Sequence, residues 1–270
     1  MTTRRHILKS GVGLAAILAT GKAPAYLVKS MLAARHGLGV IAAKGIPTAR
    51  NYVQDGLIAM WDGIENAGLD VHDASSTIWK DLAGGRDINI GTDTSKAYFT
   101  DNAFHRDSSK GDLLVPAFID NPCTISITMA VDSNITASSN PRFFSHTAST
   151  LSIPVRREFD CYSHNSADAP RLYQPIRCGY FGRPSTGLWA INCIYANSKS
   201  VKFIDSICGK NVAVDLTAYE PPLPLNIGAW NGISSAMTGD YYRVAVYSRI
   251  LTDAEIAANY AIDKARFNLA

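Results

Sequence analysis

Short strand-like segments separated by turn residues constrain the fold of this chain more than any other feature. They begin soon after Asn51 and recur to the C-terminal end, and no helical pattern of 10 to 15 residues separates them. The predicted strands are 57–61, 124–131, 143–145, 151–162, 172–180, 189–195, 201–207, 225–228 and 241–247. Many short strands without intervening helices predict an all-β fold, an antiparallel sandwich or barrel, and argue against a parallel α/β sheet.

One helix is predicted, near the C-terminal end. Thr252 and Glu255 have the spacing of a capping box, in which the two side chains bind free backbone N–H groups of the first helical turn. Ile256, Tyr260 and Phe267 follow and are expected to pack this short helix onto the sheets.

Composition excludes several classes of protein. Hydrophobic residues make up 47% of the chain and charged residues 18%, which excludes wholesale disorder. The apolar runs are too short for an integral membrane span, which needs about 20 residues. The net charge of +3 is unevenly distributed, because eight basic residues and no acidic residue precede Asp55. The body carries an acidic excess without a run of Lys and Arg, so nucleic acid is not an expected partner.

The basic N-terminal segment resembles a twin-arginine export signal. Arg4 and Arg5 stand in the sequence TRRHILK, followed by a weakly apolar stretch at 11–20 and by the small-residue site Ala23-Pro24-Ala25. The resemblance implies a cleavable signal at 1–25, a basic linker or arm at 26–51, and an exported body at 52–270, periplasmic or at the cell surface. The alternative is a basic arm that stays on a cytoplasmic or virion-associated protein.

The body resembles concanavalin A-like domains of the laminin G type. The segment 189–209 is similar to the central hairpin of that family, except that Ser206 stands where the hairpin usually has Gly. The segments NIGAW at 226–230 and GDYYRVAVYSRILTDAEI at 239–256 are similar to the family's ending. YVQDGLIAMWDG at 52–63 and TIWKDLAGG at 77–85 are similar to its opening. The resemblance implies a two-sheet jelly-roll sandwich with a concave face that often recognises glycans, although the same fold also serves enzymes and scaffolds.

Glycosidases of this superfamily hold their catalytic carboxylates on one strand as E-x-D-x-x-E. Glu158 and Asp160 begin that pattern, but Ser163 occupies its last position, and a hydroxyl group cannot replace the missing proton donor. We therefore predict a non-catalytic protein, in which Glu158 and Asp160 are ordinary solvent-facing residues. The six histidines show no spacing typical of a metal or catalytic motif.

Calcium is the candidate cofactor. Many laminin G-type domains bind Ca²⁺ through loop oxygens, and Asp70 and Asp73 place two carboxylates on one predicted loop. Calcium requires six to eight oxygen ligands, so the alternative is a solvated loop without metal.

The five cysteines have no C-x-x-C spacing, so no zinc site is indicated. Most lie among apolar strand residues and are expected to be buried thiols. If the protein is exported, bridges can form instead, and Cys161 with Cys178 is then the first pair to test.

Aromatic side chains are the candidate carbohydrate-binding residues, because sugar rings present apolar C–H faces that stack on them while polar neighbours bind the hydroxyls. Tyr162, His164, Arg171, Tyr173 and Tyr180 concentrate such groups in one segment. Trp61, Trp79 and Trp189 are instead expected to lie in the core.

Two functions of different classes fit these patterns. The first is an exported, non-catalytic carbohydrate-binding or adhesion module, whose partner is a glycan or cell-surface polysaccharide. The second is a structural surface or virion decoration protein that uses the sandwich as a scaffold. Neither the oligomeric state nor the sugar can be read from the sequence.

Overall fold

The computed structural model describes residues 47–111, 113–132, 142–146, 160–162, 187–197, 200–215, 221–229 and 237–269. All of them belong to one compact unit, Pro47–Ala270. Ala49 and Tyr52, which precede the first strand, are both buried.

The described part of the chain contains fourteen strands and one α-helix. They are β1 (Leu57–Asp62), β2 (Ile78–Trp79), β3 (Ile88–Asn89), β4 (Ala97–Phe99), β5 (Phe104–Arg106), β6 (Leu114–Ile119), β7 (Cys123–Val131), β8 (Arg142–Ser145), β9 (Asp160–Tyr162), β10 (Gly187–Asn197), β11 (Ser200–Asp205), β12 (Lys210–Asp215), β13 (Leu223–Ile227), β14 (Gly239–Tyr247) and α1 (Asp253–Phe267). A short 3₁₀ turn, Ala49–Asn51, precedes β1.

Two antiparallel sheets form the body of the fold. The larger sheet has the order β12-β11-β10-β7-β14-β5-β4. Strand β14 pairs with β7 along one edge, while its other edge pairs first with β5, through Gly239–Tyr241, and then with β1. The smaller sheet has the order β6-β13-β8-β9, and β2 and β3 form a separate two-stranded ribbon.

The main hydrophobic core lies between the two sheets. Residues of β7, β10 and β14 in the larger sheet share one buried cluster with residues of β6, β8 and β13 in the smaller sheet. Trp61, Trp79 and Trp189 are at most 1% exposed, as predicted. The described residues therefore form an antiparallel all-β sandwich, which confirms the expected fold class.

The prediction from sequence found seven of the described strands and missed four strands of two or three residues and two of six residues. Strands β1, β7, β8, β10, β11, β13 and β14 match predicted segments closely. Strands β2 to β6 and β12 were not predicted. The predicted strand 172–180 lies outside the described residues, and of 151–162 only 160–162 are described.

The turn after β11 explains the departure at Ser206. The left-handed conformation that favours glycine falls at Gly209, with φ +68°, rather than at residue 206. Asp205 accepts a hydrogen bond from the Ile207 N–H at 3.0 Å, which fixes the start of the turn. A turn glycine is therefore present, three residues later than the family pattern places it.

Helix α1 begins with the predicted capping box. The Glu255 N–H donates to the Thr252 hydroxyl at 3.3 Å, and the Thr252 N–H donates to the Glu255 carboxylate at 2.8 Å. Ile256 and Phe267 are buried, as predicted, whereas Tyr260 is half-buried. A second apolar cluster, which includes Ile256 and Tyr247, lies on the face of the larger sheet turned away from the main core.

A buried network of polar side chains holds α1 on this outer face. Asp263, wholly buried, accepts hydrogen bonds from Arg243 Nε at 2.8 Å and Nη2 at 2.9 Å. The same carboxylate accepts from the Tyr52 hydroxyl at 2.7 Å and the Thr128 hydroxyl at 2.6 Å. Arg243 Nη2 also donates to Ser126 Oγ at 3.0 Å. The five side chains Asp263, Arg243, Tyr52, Thr128 and Ser126 are called the docking network below.

A second buried arginine ties α1 to the loop after β1. Arg266 Nη2 donates to Asp62 at 3.0 Å and to Glu65 at 3.2 Å, and Glu65 also accepts from the Ala49 N–H at 2.9 Å. Burial raises the pKa of Asp62, although the Arg266 charge opposes this shift. The segment before β1, the loop after it and α1 are thus held together.

The described cysteines differ in burial according to their position in the sandwich. Cys123 and Cys193 are buried free thiols, as expected, and burial raises the pKa of Cys123 to about 12. Cys208 is an exposed free thiol in the turn after β11. Cys161 is in β9, and Cys178 is outside the described residues.

None of the helices in the described ranges is long and apolar enough to cross a membrane.

Candidate functional site

A row of three side chains crosses the outer face of the larger sheet near its β4 edge. Strand pairing places Tyr98 of β4 opposite His105 of β5, and His105 opposite Asp240 of β14. The Tyr98 and His105 rings are stacked, with centroids 4.7 Å apart and planes 27° apart. His105 Nδ1 lies 2.7 Å from Asp240 Oδ1. Tyr98, His105 and Asp240 are called the outer-face row below.

The row is accessible to solvent. Tyr98 is 37% exposed, and the side chains of His105 and Asp240 are 21% and 39% exposed. One face of the Tyr98 ring contacts His105, and the other is turned toward the edge of the sheet, since β4 is its last described strand. An aromatic face therefore lies beside polar groups that are open to solvent.

The hydrogen bond to Asp240 raises the pKa of His105, with partial burial acting in the opposite direction. A larger fraction of His105 is therefore protonated near neutral pH than for a free histidine. Three polar atoms of the row, Tyr98 Oη, His105 Nε2 and Asp240 Oδ2, make no hydrogen bond within the described chain. They supply a hydroxyl, a ring nitrogen and a carboxylate acceptor around one aromatic ring.

Aromatic side chains on the core-facing side of β4 and β5 hold these two strands in place beneath the outer-face row. Successive residues of a strand point to opposite faces, so Phe99 and Phe104 face the main core while Tyr98 and His105 face outward. The Phe99 and Phe104 rings are 5.4 Å apart, and Trp79 lies 4.6 Å from Phe104. The outer-face row thus stands on a tightly packed aromatic layer.

The candidate calcium residues lie in the loop after β1, in a tight turn. Asp70 has φ +63° and pairs with Arg50 at 3.2 Å. The Asp73 carboxylate accepts from the N–H and hydroxyl of Ser75 at 2.8 and 2.6 Å, which lowers the pKa of Asp73. Both carboxylates thus have local partners, and in the described ranges no three His, Cys, Asp or Glu side chains are grouped to hold a metal ion.

Most of the predicted carbohydrate-binding set lies outside the described residues. Tyr162 ends β9, the last described strand of the smaller sheet, where its backbone pairs with Arg142. His164, Arg171, Tyr173 and Tyr180 lie outside the described ranges, as do the signal residues Arg4, Arg5 and Ala25. This set remains a prediction; Tyr162, its one described member, belongs to a different sheet from the outer-face row.

The interrupted glycosidase pattern is described only in its middle. Asp160 begins β9, while Glu158 and Ser163 lie outside the described residues. The prediction of a non-catalytic protein therefore stays a prediction.

The outer-face row was missed because its strands are very short. Strands β4 and β5 have three residues each, too few for an alternating pattern to stand out. A signal was nevertheless present, since Thr100 to Ala103 forms a run of turn residues between two aromatic segments, which indicates a hairpin. The neighbouring position of Asp240 depends on strand register and could not be read from the sequence.

Comparison with known proteins gives distant structural similarities. No protein-family model matches this chain, and no curated protein sequence matches it. A Trypanosoma rangeli sialidase bound to 2,3-difluorosialic acid aligns with a TM-score of 0.46 and 12% identity, over 79% of this chain and 33% of the sialidase chain. This chain thus spans about a third of the sialidases it matches.

Two smaller domains also align. Domain 4 of AbnA, a GH43 extracellular arabinanase from Geobacillus stearothermophilus, in complex with arabinotriose, has a TM-score of 0.45 and 12% identity, over 76% of this chain and 98% of that domain. A Ruminococcus gnavus sialidase CBM40 bound to sialyllactose has a TM-score of 0.35 and 16% identity, over 51% of this chain and 80% of that one. These similarities are too distant to assign an activity or a ligand, so a functional argument must rest on the chain's own residues.

Proposed function

We propose that this protein is a non-catalytic glycan-binding module, built on a concanavalin A-like jelly-roll sandwich and exported from the cytoplasm. The observation that carries the proposal is the outer-face row, in which the half-exposed ring of Tyr98 lies beside the polar groups of His105 and Asp240. Stacking of a sugar C–H face on an aromatic ring, with hydroxyls bound by neighbouring polar groups, is a recognised mode of carbohydrate recognition.

The pre-set geometry of the row supports this proposal. His105 is held on one side by the Tyr98 ring and on the other by Asp240, so little side-chain entropy is lost when a ligand binds. A single aromatic ring on an open sheet face gives a shallow site. We expect dissociation constants of roughly 10 μM to 1 mM, or about 4 to 7 kcal/mol of binding free energy.

The test is a glycan array probed with the full-length protein, followed by titration calorimetry on the strongest binder. Tyr98→Ala should reduce affinity at least about tenfold, because the stacking surface is removed. Leu114→Ala is the matched control, because Leu114 has the same 37% exposure but lies on β6 of the other sheet. Equal effects of the two substitutions would contradict the assignment.

A Tyr173→Ala variant separates the outer-face row from the aromatic set predicted in 162–180. Loss of binding in Tyr173→Ala but not in Tyr98→Ala would keep glycan binding and move the site to that segment. The alternative function, a structural surface or virion decoration protein, predicts that no glycan is bound with or without Ca²⁺.

A further inference from the structure

Five charged side chains are buried together where α1 meets the larger sheet. They are the carboxylates of Asp62, Glu65 and Asp263 and the guanidinium groups of Arg243 and Arg266, called the buried charge cluster below, and each residue is at most 6% exposed. Three carboxylates and two guanidinium groups give the cluster a net charge of −1 when all five are ionised. An unbalanced buried charge is costly, so a proton on one carboxylate would stabilise the cluster.

The hydrogen bonds of Asp263 identify it as an ionised carboxylate. Arg243 donates to Oδ1 through Nε and to Oδ2 through Nη2. The Tyr52 hydroxyl donates to Oδ1 and the Thr128 hydroxyl to Oδ2. A guanidinium group cannot accept a hydrogen bond, so a proton on either oxygen would disturb a charge-assisted bond.

Both oxygens of Glu65 also face donors. Oε1 accepts from the Ala49 N–H at 2.9 Å and from Arg266 Nη2 at 3.2 Å, and Oε2 accepts from the Asp70 N–H at 3.3 Å. Backbone N–H and guanidinium groups donate only, so a proton on Glu65 would point at another donor. Glu65 is therefore a poor place for the proton.

Asp62 differs from the other two carboxylates. Its Oδ1 accepts from the N–H groups of Ile64 and Glu65, both at 2.9 Å, and from Arg266 Nη2 at 3.0 Å. Its Oδ2 is buried and accepts no hydrogen bond within the described part of the chain. Burial is the largest influence on the pKa of Asp62 and raises it, while the Arg266 charge opposes this shift. The proton that balances the cluster is therefore best placed on Oδ2.

An aromatic ring compensates the guanidinium N–H groups that lack an acceptor. These are Arg243 Nη1 and Arg266 Nε and Nη1. Both guanidinium groups lie over the ring of Tyr52, with their Cζ atoms 4.8 and 5.4 Å from its centroid, and the face of an aromatic ring attracts cations. Burial raises the pKa of the Tyr52 hydroxyl well above its ordinary value, so Tyr52 stays neutral and adds no charge to the cluster.

We propose that Asp62 holds a proton on Oδ2 at pH values where an exposed aspartate is ionised, and that loss of this proton loosens the contact of α1 with the sandwich. The folded protein binds this proton more tightly than the unfolded chain does. Its stabilising effect is therefore fully present below about pH 3.9, the ordinary pKa of aspartate, and is lost as pH rises through the higher folded value. The contact is thus pH-dependent, firmest in acid, and independent of glycan binding.

Infrared spectroscopy of the full-length protein tests the protonation directly. At pH 5 an exposed aspartate is about 90% ionised or more, so few carboxyl groups contribute the C=O stretch of a protonated acid. The wild type should show such a band at pH 5 that Asp62→Asn lacks, and the band should fade by pH 9. Asp120→Asn is the matched control, because Asp120 is an exposed aspartate and its replacement changes the net charge equally. This control should keep the band.

Hydrogen exchange of the α1 amides tests the consequence for the helix. After correction for the intrinsic effect of pH on exchange, the wild type should lose about tenfold or more protection in α1 between pH 5 and pH 9, the factor that corresponds to one pKa unit. Asp62→Asn, which is neutral at both pH values, should change by about threefold or less. Asp120→Asn should behave as the wild type does.

Each outcome bears on the proposal. An acid band that requires Asp62, together with a loss of α1 protection that Asp62→Asn lacks, supports it. Absence of an Asp62-dependent band at pH 5 overturns it, as would follow if Asp62 were ionised and bound by a water molecule. A band that persists unchanged to pH 9, or an equal loss of protection in both proteins, overturns the pH-dependent contact. Unfolding of Asp62→Asn at pH 5 also overturns the proposal, because asparagine has the charge and shape of the protonated aspartate.

Discussion

Truncation of Asp263 to alanine should be among the most damaging single changes to this fold. The substitution leaves Arg243 charged and buried without its carboxylate, and removes the acceptor used by the Tyr52 and Thr128 hydroxyls. Breaking one side of a buried ion pair costs about 3–5 kcal/mol, because the remaining charge stays desolvated. Globular domains have a total stability of about 5–15 kcal/mol, so the loss should be evident in any unfolding measurement.

A double-mutant cycle tests the cause of this loss. Arg243→Ala alone should also cost about 3–5 kcal/mol, but the double variant should cost clearly less than the sum, since it leaves no unpaired buried charge. The assay is equilibrium urea unfolding followed by tryptophan fluorescence, with a coupling energy of about 1–3 kcal/mol expected.

An exposed ion pair provides the control for the cycle. Arg50 and Asp70, whose side chains are 61% and 51% exposed, form a surface pair, so Arg50→Ala should change stability by less than about 1 kcal/mol. Strict additivity of Asp263→Ala and Arg243→Ala, or a loss in Asp263→Ala no larger than that in Arg50→Ala, would refute the reasoning.

Three other predictions concern acid stability, a backbone turn and the leader. His146 is buried, and burial lowers its pKa to about 4, below the 6.5 of an exposed histidine. The unfolded chain therefore binds a proton at this histidine more readily than the folded protein does. The free energy of unfolding should fall by up to about 3 kcal/mol as pH drops from 6.5 to 4. In urea titrations at pH 7, 5 and 4, His146→Gln should lack this part of the decline, and an identical decline in both proteins would disprove it. Gly228 has φ +74°, and a Cβ there would lie 2.6 Å from the buried side chain of Arg106, so Gly228→Ala should lower the stability by about 2 kcal/mol or more. Gly209 has open space around it, so Gly209→Ala should cost only about 1 kcal/mol. Equal melting temperatures for the two variants would contradict this. If Arg4 and Arg5 form a twin-arginine signal, changing both to Lys should leave an uncleaved cytoplasmic precursor, because Lys lacks the planar guanidinium group. Cell fractionation with N-terminal sequencing tests this. Wild-type protein found at full length in the cytosol would refute export.

The longest strands, the core tryptophans and the helix could be predicted because their signals are local. Strand β7 is a run of apolar and β-branched residues interrupted only by Ser126, and the capping residues Thr252 and Glu255 are three positions apart. In such segments local propensity, apolar pattern and the final packing agree, so the sequence pattern was sufficient.

The outer-face row and the docking network could not be predicted because both depend on strand register. His105 and Asp240 are 135 positions apart and meet only because β5 and β14 are paired. Arg243 and Asp263 look like surface charges in the sequence, yet both are buried where α1 covers the sheet. No periodicity within one element contains this information, because two distant elements create each pair.

The hydrogen bond between Tyr52 and Asp263 of α1 can form only late in the synthesis of the chain. Their hydrogen bond spans 211 residues, and α1 is synthesised after every strand of the sandwich. Until residue 263 has been made, Arg243, Tyr52 and Thr128 lack the carboxylate of Asp263, and α1 does not yet cover the outer face of the larger sheet. We therefore expect the nascent sandwich to stay protease-sensitive until α1 emerges, so that interrupted chains are degraded rather than accumulated.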